Sequence, residues 1–157
     1  MTKEDKQLLL KDLCARLAFG RVKCQVKVLS FNEEMDEHIE LLDDEIVFIE
    51  PGIYNAYLYN EGTDVDISDI KPYLRPMSSM TEEEKKELDN LVYGIGPYYG
   101  EKLIRYSMTV TGPNGFKHEF CIRGGVDSDW FNAHHFDYRG LIEKGLALEA
   151  PEGMYKN

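Results

Sequence analysis

The clearest pattern in the chain lies over residues 21–29. Val22, Cys24, Val26 and Val28 alternate with Arg21, Lys23, Gln25 and Lys27, the period of a strand with one face in a core and the other in water. The segment before it has the other period. Leu10, Leu13, Cys14 and Leu17 recur at i, i+3, i+4 and i+7, which predicts an apolar stripe on a helix. Thr2, with Asp5 three residues on, opens that helix as a capping box, and Gly20 supplies a stop.

The pattern then shortens. A polar loop over 32–37 leads into two strand-like runs, 38–42 and 45–50, with Asp43 and Asp44 as a turn between them. Pro51-Gly52 is a strong turn signal. Residues 53–59 form an aromatic, strand-like run closed by Asn60-Glu61-Gly62, and Val65 and Ile67 give a short alternating piece. A tight turn at Ser68-Asp69-Ile70 precedes a last run over 71–74. Several short strands with no helix between them predict a small antiparallel barrel or curled sheet. Their order looks like an SH3-like barrel.

Pro72 and Pro76 bracket a break, and Met77-Ser78-Ser79-Met80 reads as a linker. Beyond it, Thr81 and Glu84 make a second capping box, for a helix over 82–91. Its acids lead and its lysines follow, and Leu88, Leu91 and Val92 give it only a narrow apolar edge. Residues 93–100 are rich in glycine and tyrosine and read as a loop. Runs over 102–111 and 116–122 form a hairpin around Gly112-Pro113-Asn114-Gly115, with Tyr106, Met108 and Val110 facing Phe116, Phe120 and Ile122. Asp127 or Ser128 caps a short helix carrying Trp130, Phe131 and His134, and a second short helix over 138–144 stops at Gly145. The expected fold is therefore α+β: an N-terminal helix and a small SH3-like barrel over 1–76, then an α+β extension over 77–157 of helix, hairpin and short C-terminal helices. The short linker predicts that the two halves fold as one compact unit.

Composition narrows the class. The chain has 157 residues, 43% hydrophobic and 30% charged, as in ordinary globular proteins. No apolar run approaches the ~18–20 residues of a membrane span. The opening MTKEDKQLLLKDL sets charge on both sides of three leucines and is no secretory signal. Cysteines at 14, 24 and 121 form no CxxC pair and leave an odd number, so a reducing, cytoplasmic setting without disulfides is expected.

Charge changes the picture most. The net charge is −11, but residues 1–31 carry +4 and residues 32–70 carry thirteen acids and no Lys or Arg. Such a field repels phosphate backbones and disfavours nucleic acid, although the strand face of Arg21, Lys23 and Lys27 offers a small basic alternative. It suits a basic protein surface or simply a solvated face.

Two stretches carry a resemblance: ISDIKPYLRPMSSMTEEEKKEL over 67–88 and DWFNAHHFDYRGLIEKGLALEAPEGMY over 129–155. Both are similar to a family of small uncharacterised proteins encoded by gut bacteria of the Bacteroides kind, their phages and their mobile elements. The resemblance covers about a third of the chain. It implies an intracellular accessory protein of a phage or integrated element, and it brings no activity and no catalytic residues.

Candidate chemistry is sparse. His134, His135 and Asp137 could contribute to a metal site, but adjacent helical residues point about 100° apart. An outside ligand such as Asp127, Asp129, His38 or His118 would be needed. The competing expectation has one histidine packing on Trp130 and the other ending the helix. His118 sits on an apolar strand face, and Cys121, near Arg123, lacks the base that a nucleophilic thiol needs. Asp64, Asp66 and Asp69 miss the EF-hand pattern, with Asp69 in place of the glycine and Arg75 in place of the final glutamate. Gly94, Gly96 and Gly100 form no GxGxxG, and no hydrolase or metalloprotease motif occurs. No catalytic residue and no cofactor is assigned. The expected function is protein binding through Asp43, Asp44, Glu45, Asp64, Asp66 and Asp69 with Tyr57 or Tyr59, because tyrosine is favoured in interface cores. A metal-dependent enzyme at His134/His135 is the alternative.

Overall fold

The computed structural model describes residues 1–32, 35–50, 54–94, 106–111, 117–122 and 126–155. Its elements in chain order are α1 (Lys3–Leu17), β1 (Val22–Phe31), β2 (Glu37–Glu50), β3 (Asn55–Leu58), β4 (Asp64–Asp66), β5 (Ile70–Leu74), α2 (Glu82–Gly94), β6 (Tyr106–Thr111), β7 (Lys117–Ile122), α3 (Val126–Ala133) and β8 (Leu148–Glu149). Two compact units contain them: residues 1–74 with 139–157, and residues 75–138.

The first unit is a six-stranded sheet with α1. The capping box forms as its spacing predicts: Thr2 Oγ1 accepts the Asp5 N–H at 3.1 Å, and the Asp5 carboxylate accepts the Thr2 N–H at 3.2 Å. The buried stripe differs from the predicted one. Leu9 and Leu13 are fully buried together with Asp12 and Arg16, whereas Leu10 and Leu17 are half-buried and Cys14 is exposed. The reason is an ion pair. Arg16 Nε donates to Asp12 at 2.6 Å, and Arg139 Nη1 reaches the same carboxylate at 2.7 Å. Charges that compensate one another can sit inside, and a count of apolar residues alone misplaces the stripe.

The strand order is β4-β3-β2-β1-β5-β8, antiparallel except for the parallel β5–β8 pair. Among the described residues these strands do not close into a barrel, and the architecture shown is the coarser α+β one of helix and sheet. Leu148 and Glu149 return to pair with Tyr73 and Leu74. A second correction concerns Asp43 and Asp44. They are not a turn: β2 runs unbroken for 14 residues, with Asp43 opposite Gln25 and Asp44 opposite Cys24. The third concerns the helix expected over 138–144, which is a series of turns. Gly140 and Gly145 take φ of 70° and 69°, a left-handed conformation at each end of a segment too short for more than one helical turn. The core joins Val22, Cys24, Val26, Ile46, Leu58, Ile67, Ile70 and Leu74 to Leu9 and Leu13 of α1 and to Leu141 and Leu146.

In the second unit, Thr81 and Glu84 cap α2 reciprocally, at 3.2 and 2.9 Å, and Arg75 forks onto Glu84 at 2.6 and 2.9 Å. The β6–β7 ladder sets Tyr106 opposite Ile122, Met108 opposite Phe120 and Val110 opposite His118. Its turn, with Phe116, lies outside the described residues. So do residues 95–100 of the expected glycine- and tyrosine-rich loop. Trp130, Phe131 and Phe136 pack with Met80 and Leu88 into a separate core.

Candidate functional site

The eight residues singled out from the acidic segment fall into two groups. Asp43, Asp44, Glu45 and Tyr59 line one open cavity of ≈ 310 Å³ in the first unit, with Lys23 and Tyr73 among its other walls. Tyr57, Asp64, Asp66 and Asp69 are not part of that wall.

Within the cavity the roles differ. Alternation along β2 turns Asp44 toward the core side and Asp43 and Glu45 outward. Asp44 is 4% exposed, and its carboxylate accepts backbone N–H groups of Glu45 at 2.6 Å, Asn60 at 2.8 Å and Glu61 at 3.0 Å. Burial pushes this carboxyl up, but the amides outweigh it and hold it below the ordinary carboxylate range. Asp44 is therefore an ionised clamp on the turn after β3. Asp43 accepts the Tyr73 hydroxyl at 2.7 Å. Burial and the Asp43 charge push the Tyr73 phenol up to about 12, so it remains a donor. Glu45 pairs with Arg21 at 3.2 Å, and the Arg21 guanidinium lies 3.6 Å from the centre of the Tyr59 ring. Lys23 Nζ donates to the Met154 carbonyl at 3.3 Å and lies over the Tyr155 ring. Arg21 and Lys23 of the basic strand face are thus already engaged within the chain. Burial, and then the neighbouring acids, push the Cys24 thiol up to about 12, so it stays a protonated thiol. Three carboxylates against the Lys23 ammonium and the Arg21 guanidinium on Glu45 leave the cavity with a negative balance.

In the second group, Asp66 and Tyr57 are engaged in the fold and Asp64 and Asp69 are exposed. Asp66 caps a one-turn 3-10 helix over Ile67–Asp69 by accepting the Ser68 N–H at 2.8 Å, and both its oxygens take Lys6 Nζ, at 2.8 and 2.7 Å. Burial raises this carboxyl, but the Lys6 and Ser68 bonds prevail and bring it down to about 2. Tyr57 lies opposite Asp64 and stacks on Phe48 with ring centres 5.1 Å apart. Asp64 and Asp69 are exposed, with no cationic partner among the described residues.

The histidine cluster packs in the second unit. The His134 ring stacks on Trp130 with centres 4.1 Å apart, and its Nδ1 lies 2.9 Å from the Trp130 carbonyl. His135 has φ of 59° just past the end of α3. Asp137 is buried, and its N–H donates to the Arg75 carbonyl at 2.8 Å. Among the described residues no group of three His, Cys, Asp or Glu side chains is placed to hold a metal ion. His38 is exposed on β2, and the side chains of His118, Cys121 and Asp127 lie outside the described residues. Among the described residues no helix is long and apolar enough to cross a membrane.

One surface was missed from the sequence. Leu29, Phe31, Ile39 and Leu41 are 53–60% exposed at the free end of β1 and β2. The signal was present: outward positions of β1 change from Lys23, Gln25 and Lys27 to Leu29 and Phe31. Comparison with protein-family models, curated proteins and solved structures found no match.

Proposed function

We propose that this chain is a non-catalytic interaction module, an accessory protein of a phage or mobile element acting in the cytoplasm, which docks a positively charged protein surface on its anionic cavity. The observation that supports this reading is the gathering of Asp43, Asp44, Glu45 and Tyr59 around one cavity. Each residue has a distinct part. Asp44 fixes the turn that carries Tyr59 and Asn60. Asp43 and Glu45 supply outward charge, and Glu45 exchanges Arg21 for an arginine or lysine of the partner. Tyr59, relieved of Arg21, offers its face to the incoming cation. Held on a strand, these charges keep their geometry, which favours fast association that salt suppresses. A nucleic-acid-binding protein fits the same chemistry, with the cavity standing in for phosphate.

The test is titration of the intact protein with an arginine- and lysine-rich probe peptide. Saturable binding that weakens steeply with salt and is lost in Asp43→Asn/Glu45→Gln supports the reading. Retention of binding in Asp64→Asn/Asp69→Asn assigns it to the cavity. An affinity indifferent to salt and to Asp43 and Glu45 contradicts it.

A further inference from the structure

Among the described residues, no other strand pairs with the β1–β2 ribbon beyond Val26. β5 pairs with β1 only over residues 24–26, and β3 pairs with β2 only from Ile46 to Glu50. β1 and β2 continue together through five more rungs, from Lys27 opposite Leu41 to Phe31 opposite Glu37. A two-stranded ribbon is marginal in water on its own.

Directly opposite residues share a face. On the core side the ribbon carries half-buried Val28 and Leu42, then turns polar with Ser30, His38 and Glu40. The other face does the reverse. Leu29, Phe31, Ile39 and Leu41 are 59%, 53%, 60% and 59% exposed and form a contiguous apolar patch of the kind that marks interaction sites. Lys27 closes the patch at its base and Glu37 at its tip.

We propose that a second copy of this chain covers the patch, the two ribbons lying face to face and antiparallel across a two-fold axis at the Leu29–Ile39 rung. The charges select this occupant and this direction. Laid base to tip, Leu29 and Ile39 meet their own counterparts, and each Lys27 comes over the Phe31–Glu37 pair of the other copy. Both cations then meet a carboxylate, which is the self-complementarity that an isologous interface requires. Laid base to base, the two Lys27 side chains crowd at one end and the two Glu37 side chains at the other, an arrangement that repels itself. Each copy carries −11 overall, so the two bodies repel through solvent and salt relieves that repulsion. Self-association therefore tightens with salt, opposite to the basic-peptide binding proposed above, and either can fail without the other.

Sedimentation equilibrium of the intact chain, over a range of concentration and salt, is the test. The expected result is a monomer–dimer equilibrium that tightens as salt rises. Ile39→Thr should abolish the dimer while leaving the melting temperature, measured where both chains are monomeric, unchanged. Lys27→Glu or Glu37→Lys alone should loosen it about tenfold, because each introduces two like-charge contacts per dimer. The double swap Lys27→Glu/Glu37→Lys should restore it. A chain that stays monomeric at all concentrations, a dimer indifferent to Ile39→Thr, or a double swap that adds the two losses would overturn the proposal.

Discussion

The β1–β2 ribbon is one ladder with two different surroundings. At its base, β5 and β3 flank it, α1 covers its inner face, and the inward residues Val22, Cys24, Val26 and Ile46 are fully buried. At its free end the polarity of the two faces reverses: the inner face carries Ser30, His38 and Glu40, and Leu29, Phe31, Ile39 and Leu41 on the outer face stand in water. The halves differ both in which face is apolar and in the strands that flank them. The comparison extends to the acids. Asp44 at the base is consumed by backbone amides, whereas Asp43 and Glu45 beside it point outward around the cavity.

The largest expected contrast is between two isoleucines of one strand. Ile46→Ala removes a fully buried side chain and should cost about 2–5 kcal/mol. Ile39→Ala at the free end should change monomer stability by no more than about 0.5 kcal/mol. Urea unfolding at a concentration where the chain is monomeric measures both. Similar losses would mean that the free end is packed and would break the comparison.

Next in size is the pair of adjacent aspartates. Asp44→Ala strands three backbone N–H groups and should cost about 1–3 kcal/mol, while Asp43→Asn keeps an acceptor for the Tyr73 hydroxyl and should leave the melting temperature within a degree or two. Equal effects would place the two carboxylates in the same role.

A smaller effect concerns pH. Asp44 and Asp66 titrate below their unfolded value of 3.8 in the folded chain, Asp66 near 2. A depressed carboxylate contributes its stability above the unfolded pKa and loses it as pH falls through the folded one. Acid unfolding should therefore gather between about pH 4 and 2, and Asp66→Asn should flatten that decline. A pH profile of the melting temperature that is the same in Asp66→Asn would contradict the ion pair with Lys6.

Local rules made much of this legible. Both capping boxes, the alternation of β1 and the antiparallel pairing of β6 with β7 follow from residues within a few positions of each other. Apart from the helix expected over 138–144, which gives way at its own glycines, the failures share a cause, which is a partner far along the chain. Asp43-Asp44 reads as a turn by composition, but the Asp44 carboxylate is satisfied by amides 16 residues on. The stripe of α1 was misplaced because Arg16 and Asp12 are buried against one another, with Arg139 joining from 127 positions away. The pairing of β5 with β8 joins residues some 75 positions apart and left no signal in strand spacing. In the candidate site, the charge run named the acids but could not tell Asp44 and Asp66, bound up in the fold, from Asp43 and Glu45, which are turned outward.

That last division is most directly tested by following backbone amide chemical shifts while a lysine- and arginine-rich peptide is added to the isotope-labelled chain. The expected result is saturable movement confined to residues 23–25, 43–45 and 59–60, with the signals of 64–69 and of the free ribbon end unmoved. Movement centred on 64–69, or small shifts spread evenly over every exposed acid, would contradict the cavity as the binding surface.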